Sequence, residues 1–204
     1  MRKTPIQILE NNILSCHKCK GLNIPKKTMS AVGYGSYKAE LMVIGQSLHS
    51  YNPQTPKQQI PFVGPLEHVD SGKLLYELLE EVGYSYKKKN LFVTNVVHCH
   101  PPDNRASLPV EIKNCSPYLI QEINIVNPQK ILLLGTDARE WFKAVQLAKG
   151  RLIDWHPYYS FGKLRIFFVS VHPSYVRRGG KSAERSYREQ FVDVFNSDFG
   201  RDFK

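Results

Sequence analysis

Leu41-Met42-Val43-Ile44-Gly45 is a compact apolar run closed by a glycine. That is the form of a buried parallel strand whose carboxyl end opens into a loop. The same form returns at Leu91-Phe92-Val93-Thr94-Asn95-Val96-Val97 and at Lys130-Ile131-Leu132-Leu133-Leu134-Gly135. Between these runs the period changes. Ser71-Gly72-Lys73 leads into Leu74, Leu75, Leu78, Leu79 and Val82, an amphipathic helix stopped by Gly83. Pro109 opens a second helix through Ile112, Cys115, Leu119 and Ile123. Outside this centre, Ile6 to Leu14 reads as a short opening helix, Asp137 to Ala148 as a helix and residues 183 to 195 as a closing helix. Residues 158 to 171 read as a hairpin turning at Phe161-Gly162-Lys163, whose second arm, Leu164 to Val171, is the fourth core strand.

Strands alternating with helices predict a three-layer α/β/α sandwich with a central four-stranded, mainly parallel sheet, in one domain over residues 1–204. Such sheets place their sites at the carboxyl ends of the strands. Here those ends are Gly45-Gln46-Ser47, Asn95 to His100, Gly135 and His172-Pro173-Ser174. Residues 46 to 71 lack periodicity and carry Pro53, Pro56, Pro61 and Pro65. A loop of that length is more often functional than idle.

The 204 residues are 42% hydrophobic and 23% charged, which is globular composition rather than disordered or membrane composition. Apolar runs are strand-length, far short of the roughly 20 residues that span a bilayer. Lys and Arg total 28 against 18 Asp and Glu, a net charge of +10. That excess favours a polyanionic partner, nucleic acid first. The start, Met1 to Pro5, carries no continuous apolar signal region, and four cysteines are too sparse for a secreted disulfide scaffold. The expectation is a cytoplasmic monomer in a reducing compartment, with no membrane partner.

The four cysteines form two pairs, Cys16 with Cys19 and Cys99 with Cys115. Two thiolates from a tight C-x2-C turn can face one metal centre, and the second pair completes a four-thiolate set. Cys115 also reads as a small buried hydrophobe on its helix. Spacing alone leaves zinc and an iron-sulfur cluster both open, and His17, His98 and His100 would suit a mixed zinc site.

The residues around Cys99 add a further signal. Val93-Thr94-Asn95-Val96-Val97-His98-Cys99-His100-Pro101-Pro102-Asp103-Asn104-Arg105, continuing to Glu111 through Leu119, strongly resembles the family 4 uracil-DNA glycosylases. Ile60-Pro61-Phe62-Val63-Gly64, Leu133-Leu134-Gly135 and His172-Pro173-Ser174-Tyr175-Val176 resemble further blocks of that family, in its order. The resemblance implies a structural [4Fe-4S] cluster on Cys16, Cys19, Cys99 and Cys115. It also implies hydrolysis of the N-glycosidic bond of uracil flipped out of DNA, leaving an abasic site for base excision repair.

Under that resemblance Phe62 is the stacking platform. Asn95 pairs with uracil O4 and N3–H, and its mispairing with cytosine would cost roughly 1–3 kcal/mol. His172 donates to uracil O2 as charge builds there, a contribution typically of about 10²–10³ in rate. His172 also reads more plainly as a cap on its strand end. Backbone N–H groups after Gly45 add donors, while Ser174, Arg177 and Arg178 hold phosphates, with Lys181, Arg185 and Arg188 extending the basic strip. Lys87-Lys88-Lys89 reads as a solvated face.

Three departures from the family pattern stand out. Gly45-Gln46-Ser47-Leu48-His49 replaces Gly-Glu-Ala-Pro-Gly, so the carboxylate that orients water is missing. Gln46 resembles the uracil-contacting glutamine of family 1, but Ser47 stands where that family has aspartate; Ser47, His49 and Tyr51 are the substitutes on offer. Slower chemistry, another modified base, or a DNA-binding damage sensor without catalysis are the alternatives this opens. Residues 65 to 70 form an insert with Glu67, His68 and Asp70. Finally, Arg177 stands where an apolar wedge is usual.

Overall fold

The computed structural model describes residues 3–24, 28–48, 70–143 and 147–197. In chain order the elements are α1 (Pro5–Leu14), β1 (Tyr34–Gly35), β2 (Leu41–Ser47), α2 (Asp70–Glu81), β3 (Leu91–Val97), α3 (Pro109–Val126) and β4 (Lys130–Leu134). Then come α4 (Gly135–Phe142), β5 (Ile153–Ser160), β6 (Lys163–Ser170), α5 (Pro173–Arg178) and α6 (Gly180–Asn196).

The sheet has six strands in the order β1-β3-β2-β4-β6-β5. Its centre is the expected parallel quartet, with β2 between β3 and β4 and β6 beyond β4. Two antiparallel edge strands enlarge the expected four: β1, only two residues long, on β3, and β5, the first hairpin arm, on β6. The continuous apolar runs are explained by burial on both faces. Met42, Ile44, Phe92, Val96, Ile131, Leu133, Phe167 and Val169 pack under α3 and α4. Leu41, Val43, Leu91, Val93, Leu132, Leu134 and Phe168 pack under α2, α5 and α6. Phe168, Phe195 and Phe191 form a continuous stack there, with centroids 4.0 and 4.6 Å apart.

Two helices differ from expectation. α4 ends at Phe142 because Lys143 takes a left-handed conformation, φ 55°, and closes the helix on the carbonyls of Arg139 and Glu140. α5 is a separate short helix just before the closing helix, which itself starts earlier, at Gly180. Among the described residues no helix is long and apolar enough to cross a membrane.

Candidate active site and cysteine cluster

Side chains alternate faces along a strand, so the pleat fixes which strand-end residues share a side. Asn95 has the parity of Leu91 and Val93, and Gly45 that of Leu41 and Val43, toward α2, α5 and α6; beyond them the alternation breaks, since Val97, the register partner of Ser47, packs under α3 and α4. Gly45 is the register partner of Asn95. Ser170 lies on the same face, where its hydroxyl meets Tyr187 Oη of α6 at 2.6 Å, and His172 follows two residues later. The carboxyl ends thus bring Gly45, Gln46, Ser47, Asn95 and His172 to one rim of the sheet.

Asn95 is 1% exposed. Neither its Oδ1 nor its Nδ2 has a hydrogen-bond partner among the described residues. A buried amide left unmatched at both ends is costly, and in a native chain it calls for a reason. His172 caps α5: its Nδ1 accepts from the Ser174 backbone N–H at 3.2 Å and lies 2.8 Å from Ser174 Oγ. Because Nδ1 is the acceptor, the ring proton sits on Nε2. Capping and proton placement are therefore one arrangement rather than competing roles. Gly135, which opens α4 beside this imidazole, takes φ 82°, a left-handed conformation that side chains rarely adopt.

Phe62, His49, Tyr51, Glu67 and His68 lie outside the described residues, as does the side chain of Asp70. The cationic strip divides. Arg178, Lys181 and Arg185 are exposed. Arg177 pairs with Glu184 at 3.1 Å, and Arg188 with Glu77 at 3.6 Å and with Glu81, so both are held against neighbouring carboxylates. Lys87, Lys88 and Lys89 precede β3 and therefore lie at the opposite rim from His172.

The cysteines are gathered by two tertiary contacts. Residues 29–31 run beside 98–100, with Ser30 bridging Cys99 and hydrogen bonds from Ala31 N to His98 O and from His100 N to Met29 O. Asn114, next to Cys115 on α3, donates to Lys18 O at 3.3 Å and to Cys19 Sγ at 3.4 Å. Burial, then the charges of Cys115, Cys16 and Cys19, push the Cys99 thiol up to about 12. Cys19 is raised chiefly by burial as well, with Cys115 and Cys16 contributing.

Among the described residues no three His, Cys, Asp or Glu side chains are placed to hold a single metal ion. A tetrahedral zinc with bonds of about 2.3 Å needs its sulfurs about 3.8 Å apart. Of the histidines that would suit a mixed zinc site, His17 is exposed and His100 Nδ1 donates to Leu48 O at 2.9 Å.

Beneath the cysteines lies a buried polar group that periodicity did not reveal. Glu122 of α3 meets His98 Nε2 at 3.2 Å, and accepts from Thr94 Oγ1 at 2.6 Å and from Gly33 N at 3.0 Å. Burial works against a charged His98, yet the Glu122 carboxylate outweighs it and holds the imidazole above its ordinary value. The sequence signal was available: Glu122 sits on the same helical stripe as Cys115, Leu119 and Ile123, where a carboxylate has no solvent. One turn before Cys115, Glu111 chelates Arg105 at 2.6 and 2.9 Å and accepts from Leu108 N at 2.8 Å.

Comparison with known proteins agrees with this architecture. The family described as "Uracil DNA glycosylase superfamily" matches residues 32–199. The chain is 30% identical over 196 residues to a type-4 uracil-DNA glycosylase of Archaeoglobus fulgidus, covering 92% of this chain and 86% of that one. It is 31% identical over 182 residues to the type-4 enzyme of Thermotoga maritima, covering 87% and 85%. It is 30% identical over 177 residues to that of Sulfurisphaera tokodaii, covering 83% and 74%. The strand-end geometry and these matches agree: the chain belongs to the uracil DNA glycosylase superfamily.

Proposed function

We propose that this chain is a DNA glycosylase that hydrolyses the N-glycosidic bond of uracil flipped out of DNA, leaving an abasic site for base excision repair. The observation that carries the reading is the buried, unmatched amide of Asn95 near the carboxyl end of β3, the rim that also carries His172. Their strands, β3 and β6, are three spacings apart, about 14 Å. With Gly45 between them contributing no side chain, that span accommodates one flat pyrimidine between an amide and an imidazole.

In this slot Asn95 presents a donor to uracil O4 and an acceptor to N3–H, the reverse of what cytosine requires. His172 directs Nε2–H at uracil O2, where negative charge accumulates as the bond to the sugar breaks. Backbone N–H groups after Gly45 and stacking on Phe62 complete the grip. Extruding the base costs a few kcal/mol, which these contacts and phosphate contacts from Ser174 and Arg178 offset.

Water attack is the weak step. Ser47, the last residue of β2, can orient a water, but a hydroxyl cannot take its proton at neutral pH, so turnover is slow. Cys16, Cys19, Cys99 and Cys115 would hold a [4Fe-4S] cluster, which supplies a cross-link between the amino-terminal arm and α3.

The test is a uracil-containing oligonucleotide incubated with the protein and then treated with alkali to break abasic sites. Cleavage by the wild type, lowered about 10²–10³-fold in His172→Ala, is the expected result. Binding without cleavage would overturn it in favour of a damage-sensing protein, a reading favoured by the missing carboxylate at positions 46 and 47. Cleavage only of another modified base would reassign the slot.

A further inference from the structure

Water that attacks the sugar must lose a proton, and neither Gln46 nor Ser47 takes one at neutral pH. Among the described residues, several carboxylates near the carboxyl rim are committed or in solvent. Glu111 is chelated by Arg105, Glu184 is paired with Arg177, and Asp103 and Glu140 are exposed.

Asp137 is different. It lies in the first turn of α4, directly beyond β4, the strand that pairs with β2. α4 packs against both β2 and β3. Gly135, two residues before Asp137, stands against His172: a Cβ built there would be 3.8 Å from Cδ2 of the imidazole. An acid in a first turn is favoured by the helix dipole, and for an exposed side chain that is explanation enough. The Asp137 Oδ2, however, is buried and has no hydrogen-bond partner among the described residues.

Ser107, on the segment leading into α3, neighbours the same carboxyl, and its Oγ is also buried and unmatched. An unmatched acceptor beside an unmatched hydroxyl is costly unless something polar joins them. A water buried in a protein makes about three hydrogen bonds, and this pair offers two of them. Burial raises the Asp137 carboxyl above its ordinary 3.8, with Glu140 adding to the rise and Ser107 opposing it, which makes the carboxylate a stronger base. The other charged and titratable groups of these elements are Arg139, turned to Gly135 O and Thr136 Oγ1, the Arg105–Glu111 chelate flanking Ser107, and His100 and His172 after the strand ends.

We propose that Asp137 is the general base of this chain: with Ser107 Oγ it holds the attacking water and takes its proton. The water oxygen bonds to C1′ of the sugar as the bond from C1′ to N1 breaks. The electron pair of that bond leaves on uracil, and the water proton passes to the Asp137 carboxylate. The assignment rests on the glycosylase reading of the same rim.

The experiment follows uracil release from a single-stranded uracil oligonucleotide by the metal-loaded full chain, in single turnover, across acid and neutral pH. The wild-type rate falls in acid as Asp137 takes up a proton, at a pH above 3.8. Asp137→Asn lowers the neutral rate about 10²–10⁴-fold and abolishes that acid limb, while affinity for the oligonucleotide, read by fluorescence anisotropy, stays as in the wild type. Sodium formate, a carboxylate small enough for the vacated space, restores part of the rate to Asp137→Ala and none to His172→Ala. A purely structural role would give neither the lost limb nor the rescue. Asp137→Asn at the wild-type rate, or slow with its acid limb intact and no formate rescue in Asp137→Ala, overturns the proposal. If Asp137→Asn does not fold by circular dichroism, Asp137→Glu decides: a displaced acid limb supports the assignment and an unmoved one overturns it. A wild type that releases no uracil at any pH overturns the glycosylase reading itself, and the proposal with it.

Discussion

Replacing Asn95 by leucine separates stability from activity. Asn95 is 1% exposed, and neither polar atom of its amide is matched among the described residues. Each unmatched buried polar group costs about 1–3 kcal/mol, moderated where water enters the slot. Leucine has nearly the same shape and removes both groups. The expected net gain is about 1–2 kcal/mol, which for a chain of this size raises Tm by about 2–8 °C. Activity moves the other way. Losing two base contacts of about 1.4 kcal/mol each lowers kcat/KM roughly 100-fold. Thermal unfolding and the uracil cleavage assay on the same preparation check both. A variant that melts several degrees lower, or one that keeps its activity, would refute the view that this amide is held unmatched for a ligand.

Two further outcomes follow from the cysteine side of the molecule. Glu111→Gln weakens the Arg105 chelate and the cap on α3, costing about 2 kcal/mol at neutral pH and lowering Tm by about 4–8 °C. Hydrogen bonding from Arg105 holds the Glu111 carboxyl below its ordinary 4.5. Its contribution is therefore complete above pH 4.5 and lost as pH falls through the depressed value, so the Tm gap between variant and wild type closes in acid. Cys99→Ala and Cys115→Ala reduce bound iron and sulfide and lower Tm, as does stripping iron from the wild type with a chelator. Stoichiometric zinc in a colourless wild type would overturn the cluster assignment.

What the sequence made legible were features that a short window contains. The four core strands stood out because burial on both faces makes them unbroken apolar runs, and the cysteine quartet because spacing alone pairs it. β1 was invisible because two residues carry no alternation. α5 was missed because its six residues hold less than two turns of pattern. The site splits the same way. Asn95 and His172 were named from strand ends and a family resemblance, and the structure sets both at the carboxyl rim, whereas pairing between helices escaped. No local rule says that Glu184 engages Arg177, that Glu77 and Glu81 engage Arg188, or that Glu122 lies under His98. Gln46 was named from a motif, and it ends β2 on the rim that also carries Asn95 and His172.

The strand-like pairing of residues 29–31 with 98–100, and the reach of Asn114 to the turn after Cys16, join pieces of chain about seventy to one hundred positions apart. During synthesis the amino-terminal arm emerges first and has nothing to dock on until β3 and the start of α3 exist. Its clasp is thus a late event of high contact order, slow to form and sensitive to how soon the downstream half folds. Until that moment Cys16 and Cys19 stand apart from Cys99 and Cys115.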